Sequence, residues 1–338
     1  MTNFFSYLPG MGKQIERRLS YYHRIFSAYL VPQTSHLTFW HDVPECAPNF
    51  RNGELGEYYM PFTAKANYSA QYDANGVPLL NYRGKVGLQY NPIAIAQYGL
   101  GNYNLFLKTG EPERRRKFLV AADWLVRNLE LNRCGLWVWN HHFDWEYRTP
   151  LKAPWYSGLA QGQGISLLVR VYKETMRSSY LHAAERAFDA FHYTIDQGGV
   201  VYVDSAGHVW FEEYVVFPPT HILNGFIWAS WGVYDFFLAT GSPKGHELFK
   251  QALETLVANL HRYDIGFWSL YEHSGTILKM VASPFYHALH IVQLKVLYAL
   301  TGQEIFQKFA LRWDYYQRKK ANRMAALTYK AAFKILYY

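Results

Sequence analysis

The chain has 338 residues, half of them apolar, so it can bury the core of one large domain or two ordinary ones. Its formal charge of +8 favours an anionic partner, but no nucleic-acid-binding signature accompanies it, and its basic clusters lie on predicted helix surfaces. Cys46 and Cys134 are far apart and lack metal-ligand spacing, which argues against a zinc site and a disulfide framework.

Aromatic residues are unusually frequent, with 29 Tyr and 11 Trp. Such side chains offer a flat apolar face and a polar edge together, which suits the binding of sugar rings. A core and surface that are simply rich in tyrosine are the alternative.

Residues 1–67 are predicted to be an N-terminal extension of loops with one helix near 15–30. This region has no signal-peptide core, and the chain has no apolar run long enough to cross a membrane. The sequence therefore predicts a protein without a transmembrane segment, most simply cytoplasmic.

From residue 68 the pattern becomes regular and repeats four times. Each unit begins with a short hairpin and continues with two helices; three of the four helix-helix turns carry Thr-Gly, ending at Gly110, Gly241 and Gly302. The predicted helix pairs cover 93–108 with 113–128, 157–176 with 179–194, 222–239 with 245–260, and 285–300 with 303–317.

Four such units predict a repeat architecture in which each unit buries its apolar face against its neighbours. Closing the array covers its ends, so we expect a mainly α fold, an (α/α)4 toroid over 68–320 with the hairpins at one mouth. Residues 321–338 are expected to form a helical tail. A plain helical bundle is the alternative, but it does not explain the recurring hairpins.

The third hairpin contains adjacent carboxylates and a tyrosine. In a regular strand over 209–215, Glu213 shares a face with apolar residues, while Glu212 and Tyr214 lie on the other face. Burial would raise the pKa of Glu213. Tyr214 would share the site with Glu213 only if a bulge precedes Pro218, and Glu212 is expected at a solvated edge or in a supporting position.

The fourth unit places Tyr286 at the start of a helix that Ser283 and Pro284 begin. Tyr286 and His290 then lie on one face, where the helix N-terminus favours negative charge. His287 and His290 are three residues apart, but no further ligands are spaced for a metal site, so no metal is predicted.

The first two units supply candidate groups for binding a ligand at the same mouth. Gln161 and Gln163 stand in a glycine-rich helix start, where backbone can approach a ligand, although the glycines could equally serve helix packing. Further candidates are Tyr82, Arg83, Tyr90, Arg148, Trp155 and Tyr156.

Several of these segments together resemble the D-glucuronyl C5-epimerases of heparan sulfate and heparosan biosynthesis, in a bacterial-type form without a membrane anchor. The matching segments run in family order over about 80–318. They are YNPIAIAQYGL at 90–100, WYSGLAQGQGI at 155–165, EEY at 212–214, LNGF at 223–226, Tyr271, and YHALHI at 286–291.

The resemblance implies an (α/α) barrel and cofactor-free inversion at C5 of a hexuronate within an acidic polysaccharide. It assigns catalysis to Glu213, Tyr271 and Tyr286, with Tyr214 next, and places Asn224 and the histidines at 287 and 290 among the binding residues. The segment 283–285 differs from that of the animal enzymes, whose anchor and N-terminal β-domain are not expected here. A homodimer is one open alternative.

Chemically, we expect a protonated Glu213 and a cation, Arg83 or Arg148, to neutralise the sugar carboxylate. Tyr271 and Tyr286 would then act on opposite faces of the sugar ring. A polysaccharide lyase, a glycoside hydrolase and a non-catalytic binder of acidic glycans are the alternatives.

Overall fold

The computed structural model describes residues 37–40, 43–82 and 84–337. The helix predicted near 15–30 and the candidate Arg83 lie outside these residues.

Within the described residues, eight long helices form four consecutive pairs, preceded by two short helices and followed by one more long helix. In chain order they are α1 (Leu37–Trp40), α2 (Thr63–Ala66), α3 (Pro92–Thr109), α4 (Pro112–Arg127), α5 (Gly158–Thr175), α6 (Ser178–Phe188), α7 (Leu223–Thr240), α8 (Pro243–Asn259), α9 (Pro284–Thr301), α10 (Glu304–Arg318) and α11 (Lys320–Tyr337). The predicted mainly helical (α/α) architecture is confirmed.

The first helix of each pair lies inside and the second outside. Helices α3, α5 and α7 are buried along most of their length, as expected of helices that are apolar on every side. Each inner helix packs against the next, from α3 to α5 to α7 to α9, and against its own outer partner. The outer helices α4, α6, α8 and α10 bury one stripe only.

The Ser283 cap and the glycine turns occur where the sequence predicted them, whereas α7 begins without a side-chain cap. Ser283 Oγ accepts the amide hydrogen of Tyr286 at 3.2 Å. Glycines end α3, α7 and α9 with φ near 70°, a conformation that lacks the Cβ penalty only for glycine. The second pair has Met176 at the equivalent turn, with φ of 56°.

The segment 43–66 fills the space between the first and the last inner helix. Cys46 Sγ lies 3.8 Å from the carbonyl oxygen of Val292 in α9. On the other side, the Tyr58 amide donates to Asn104 Oδ1 of α3 at 2.7 Å. Tyr58 and its neighbours belong to the same apolar core as the helix pairs. This part of the N-terminal region therefore contacts both α3 and α9, and it also contacts α5 and α7, since Arg170 donates to the Gly56 carbonyl at 2.9 Å and Tyr59 to Asp235 at 2.6 Å.

Short antiparallel hairpins precede the first three helix pairs. The strands are β1 (Gln71–Tyr72), β2 (Pro78–Asn81), β3 (Leu88–Gln89), β4 (Glu130–Leu131), β5 (Trp137–Val138), β6 (Val201–Val203) and β7 (Val209–Phe211). In the fourth unit, the described residues pair through isolated bridges between Leu270 and Val281 and between Asp264 and Ser269.

Two predicted elements are shorter in the structure. Helix α6 ends at Phe188 rather than near 194, and 3-10 turns follow at Asp189–Phe191 and Ile195–Gln197. The strand predicted over 209–215 ends at Phe211, because the backbone bends at 213–214. A further 3-10 turn spans Leu260–Tyr263. No helix in the described part of the chain is long and apolar enough to span a membrane.

Candidate active site

A cavity opens where the inner helices begin and the hairpins end. All four inner helices contribute side chains from their first turns or the turn after. Nine aromatic side chains and a few polar groups form its wall. The lining residues are Trp40, Lys65, Tyr82, Asn91, Ile93, Gln97, Phe143, Trp145, Trp155, Leu159, Glu213, Tyr214, Asn224, Trp228, Phe285 and Tyr286.

Glu213 is the buried acid of this cavity. Burial, together with the nearby carboxylates of Glu272 and Glu212, raises the pKa of its carboxyl to about 8, while a hydrogen bond from Asn224 acts in the opposite direction. That bond runs from Asn224 Nδ2 to Glu213 Oε2 over 3.3 Å. Glu213 is therefore mostly protonated at neutral pH, so its carboxyl group can donate a hydrogen bond.

Tyr214 lines the same cavity as Glu213, although the two would face opposite ways in a regular strand. The strand ends at Phe211 and the backbone bends at 213–214, so both side chains reach one cavity. The ring of Tyr214 packs against Tyr147 with 4.6 Å between centroids, and its edge meets Trp155 at 5.7 Å.

Tyr286 lines the cavity from the first turn of α9, and Tyr271 lies in contact with it. Their ring centroids are 4.8 Å apart in an edge-to-face arrangement. Tyr271 is 7% exposed and is not among the described residues that line the cavity. Burial, and then the charge of Glu213, raise the pKa of Tyr271 well above its ordinary value.

Glu212 is fully buried, so its expected position at a solvated edge is wrong. Its carboxylate accepts hydrogen bonds from the amides of Thr220 and His221, at 3.2 and 3.1 Å. The His221 ring lies 2.6 Å from its other oxygen. Glu212 therefore has the supporting position: it fixes the turn that leads into α7.

Arg148 is held by a third buried carboxylate near the cavity. Its Nη2 atom lies 3.1 Å from Glu272 Oε1, and Glu272 also accepts a hydrogen bond from Tyr147. Arg148 is not among the described lining residues. The arginine proposed to bind a substrate carboxylate is therefore already paired with a glutamate.

The other predicted binding residues divide into those at the cavity and those away from it. Tyr82, Trp155 and Asn224 line it, and Tyr82 Oη accepts a hydrogen bond from Asn91. Tyr90 is 39% exposed and donates to Asp73 outside the cavity. Tyr156 Oη donates to the carbonyl of Gly198, also away from the cavity lining.

The two glutamines of α5 are fully buried and serve other partners. Gln161 accepts from the Trp139 amide at 2.9 Å and donates to the Ala187 carbonyl at 2.9 Å. Gln163 accepts from Gln97, which does line the cavity. Gln161 thus ties a hairpin to the helices.

His287 and His290 lie behind the cavity and share Ser269. Ser269 Oγ is 2.7 Å from His287 Nδ1 and 3.0 Å from His290 Nδ1. Burial lowers the pKa of His287 to about 4 and that of His290 well below its ordinary value, so both rings are neutral. No group of three or more metal-ligating side chains occurs within the described residues.

Sequence reasoning missed several groups of the cavity. Of the described side chains that line it, Lys65 alone carries a positive charge, and its Nζ donates to the Phe39 carbonyl at 2.7 Å. Trp145 and Trp228 add aromatic surface. Trp145 stands in the aromatic segment after β5, which could have indicated it; Lys65 lies in an irregular region with no periodic signal.

Comparison with known proteins shows the family to which this chain belongs. The family model described as the D-glucuronyl C5-epimerase C-terminus matches residues 132–315, which is more than half of the chain. The chain belongs to the D-glucuronyl C5-epimerase family. The matched range contains the buried glutamate at 213 and the tyrosines at 214, 271 and 286.

Individual proteins are also similar to this chain. The D-glucuronyl C5-epimerase of Caenorhabditis elegans is 31% identical over 223 residues, which cover 61% of this chain and 36% of that protein. An uncharacterized protein of Methanocaldococcus jannaschii is 31% identical over 201 residues, covering 58% of this chain and 64% of the relative. The chain thus spans less than two thirds of each relative's length. A solved D-mannose isomerase superposes with a TM-score of 0.49 at 10% identity, covering 74% of this chain and 66% of its own.

Proposed function

We propose that this protein inverts C5 of glucuronate residues within an acidic polysaccharide of the heparosan type, giving iduronate. The observation that carries the proposal is a protonated buried glutamate in one cavity with two tyrosines. Glu213, Tyr214 and Tyr286 line that cavity, and the pKa of Glu213 lies at about 8. The family match supports the same reaction.

The chemical problem is the charge on the substrate. The C5 hydrogen is α to a carboxylate, so its removal adds a second negative charge to a group that already carries one. A neutral Glu213 can donate a hydrogen bond to that carboxylate, and Lys65 adds a positive charge to the cavity wall. Both groups act at a largely buried site, where such interactions are stronger than in water.

Inversion needs one proton-transfer group on each face of the sugar ring. The rings of Tyr271 and Tyr286 touch each other, so a sugar ring does not fit between them. Tyr214 packs on another part of the wall, against Tyr147 and Trp155. We therefore assign Tyr286 to one face and Tyr214 to the other, with Tyr271 supporting Tyr286.

The remaining wall suits a polysaccharide. Nine aromatic side chains line the cavity, and such side chains suit the binding of sugar rings. The net charge of +8 favours an anionic chain. Uncharged sugar polymers would lack the carboxylate that Glu213 and Lys65 are proposed to bind.

The test is incubation of heparosan with the protein in deuterated water, followed by NMR. We expect deuterium at C5 together with new iduronate signals. Inversion without deuterium at C5 contradicts the proposal. Ultraviolet absorbance of an unsaturated uronate would instead identify a lyase, and new reducing ends would identify a hydrolase. Binding of heparosan without hydrogen exchange would identify a non-catalytic glycan-binding protein.

A further inference from the structure

The C-terminal helix α11 packs against the segment that carries Tyr271. Phe333 is fully buried in an apolar cluster that includes Tyr271, Tyr147 and Met280. The hydroxyl of Tyr329 accepts the amide hydrogen of Lys279 at 3.2 Å, and the hydroxyl of Tyr337 accepts that of Leu278 at 3.3 Å. Since the Tyr271 amide donates to the Met280 carbonyl at 2.7 Å, α11 and Tyr271 hold the same strand-like segment between them.

Lys330 projects from this helix toward the tyrosines. Its Nζ donates to the Val281 carbonyl at 3.0 Å and lies 5.8 Å from the centroid of the Tyr271 ring. Tyr271 contacts Tyr286, which lines the cavity. The ammonium group is therefore separated from the cavity by the two tyrosine rings.

The surroundings of Tyr271 oppose its ionisation. Burial and the negative charges that Glu213, Tyr286, Tyr214 and Tyr147 can carry all raise its pKa. The buried carboxylate of Glu272 already has a cationic partner in Arg148, and Glu212 accepts hydrogen bonds from the amides of Thr220 and His221. A phenolate in this cluster requires a positive charge of its own nearby.

Lys330 can supply such a positive charge near neutral pH. Burial lowers the pKa of its ammonium group to about 8, while Glu272 acts in the opposite direction. His290 also faces Lys330, and the pKa of this histidine lies well below its ordinary value, so its ring adds no competing charge. Lys330 is thus mostly charged at pH 7 and loses its charge as the pH rises through about 8.

We propose that Lys330 is a positioning residue whose positive charge allows the Tyr271–Tyr286 pair to carry a phenolate when the sugar binds. This inference rests on the proposed epimerase function. In the step it serves, the C5–H bond breaks as the phenolate oxygen forms an O–H bond, and the electron pair moves onto the sugar carboxylate. Lys330 itself exchanges no proton with the substrate, and it lies beyond the range matched by the family model.

The first experiment compares pH profiles of C5 deuterium incorporation for the wild type, Lys330→Met and Lys330→Arg. Lys320→Met is the matched control, because Lys320 lies in the same helix but is exposed. Lys330→Met removes a cation about 6 Å from the tyrosine pair. The ascending limb of the pH profile of exchange should then move to higher pH by about one to two units, and the exchange rate at neutral pH should fall by about 10- to 100-fold. In Lys330→Arg the ascending limb should stay at the wild-type pH, and the variant should remain active above the pH at which lysine deprotonates.

A loss of rate by the same factor at every pH, with the ascending limb unmoved, would overturn the proposal and leave Lys330 with a packing role alone. Thermal unfolding of each variant checks the fold. Lys330→Gln replaces the methionine variant in the same comparison if the latter misfolds.

A second readout does not depend on turnover. Ultraviolet titration of tyrosinate, as the difference between the wild type and Tyr271→Phe, isolates the ionisation of Tyr271. The same difference in the Lys330→Arg background should move to lower pH, because arginine keeps its charge above the pH at which Lys330 loses it. If this shift occurs but heparosan is not epimerised, the proposed function fails and the charge role stands. If heparosan is epimerised but neither the ascending limb of the pH profile nor the tyrosinate titration moves in the Lys330 variants, the proposed role of Lys330 is wrong.

Discussion

Gly225 lies directly against the carboxylate of Glu213. A Cβ atom at position 225 would stand 2.2 Å from Glu213 Oε2 and 2.6 Å from its Cβ, distances that real Cβ contacts do not show. The preceding residue, Asn224, donates a hydrogen bond to the same oxygen. The start of α7 therefore both makes room for the glutamate and orients it.

Replacing Gly225 with alanine should displace Glu213 from its buried position. The contact with the glutamate Cβ cannot be relieved by rotating the far end of a side chain, so we expect a loss of about 1–3 kcal/mol in the free energy of unfolding. Deuterium exchange should fall at least about tenfold. Gly275→Ala is the control, because nothing lies within 4 Å of its Cβ position. Equal activity of the two variants would contradict the importance of this contact.

Glu213→Gln should change how stability depends on pH. The pKa of Glu213 rises from 4.5 to about 8 on folding, so the folded state keeps a proton that the unfolded state loses between these values. The wild type should therefore lose stability relative to the glutamine variant as the pH rises from 4.5 to about 8. We expect a difference of about 3–5 kcal/mol above that range, measured by urea unfolding. Parallel pH profiles for the two proteins would mean that Glu213 is not protonated in the folded state.

The same variant tests the role of Glu213 as a neutral hydrogen-bond donor. A glutamine amide still donates a hydrogen bond, so Glu213→Gln should keep measurable exchange, whereas Glu213→Ala should lose it. The glutamine variant should also stay active above about pH 8, where the wild-type carboxyl ionises. Complete loss in both variants would instead indicate that Glu213 itself transfers a proton.

Two tyrosine variants test which residue transfers a proton on each face of the sugar ring. Each face of the sugar ring needs its own proton-transfer group, so Tyr214→Phe and Tyr286→Phe should each abolish inversion. Each variant should still exchange the C5 hydrogen of at most one of the two epimers, glucuronate or iduronate. NMR of glucuronate-rich and iduronate-rich polymers in deuterated water measures both. Tyr193→Phe, at an exposed position, is the control. Normal inversion by Tyr214→Phe would assign the second face to another group.

The core contains a buried ion pair whose disruption should affect stability. Arg170 and Asp235 are fully buried with 2.6 Å between Nη1 and Oδ2, and Tyr59 donates to the same aspartate. Asp235→Asn leaves the arginine charge without its partner, so we expect a loss of about 3–5 kcal/mol in the free energy of unfolding. Glu254→Gln, which breaks an exposed pair with Lys250, should cost less than about 1 kcal/mol. A similar loss in both variants would contradict this difference.

Apart from the end of α6, the sequence predicted the helices of the four units closely, because caps and turns are local signals. The Ser283-Pro284 start and the Thr-Gly stops depend only on neighbouring residues. The pairing of inner helices followed from the repeat. Local signals could not show that 43–66 fills the space between α3 and α9, since its contacts join residues as far apart as Cys46 and Val292.

In the cavity, the sequence by itself determined the buried acid. The apolar residues around Glu213 implied burial, which raises the pKa of a carboxyl, although the regular strand used in that argument ends at Phe211. The sequence could not decide whether Tyr214 joins Glu213, because that depends on a backbone bend that ends the strand early. Only the tertiary structure decided that Arg148 is paired with Glu272, that the histidines at 287 and 290 lie behind the cavity, and that Lys65 and Lys330 come near it. These contacts bring together distant parts of the chain, and their geometry is set by packing rather than by neighbouring residues.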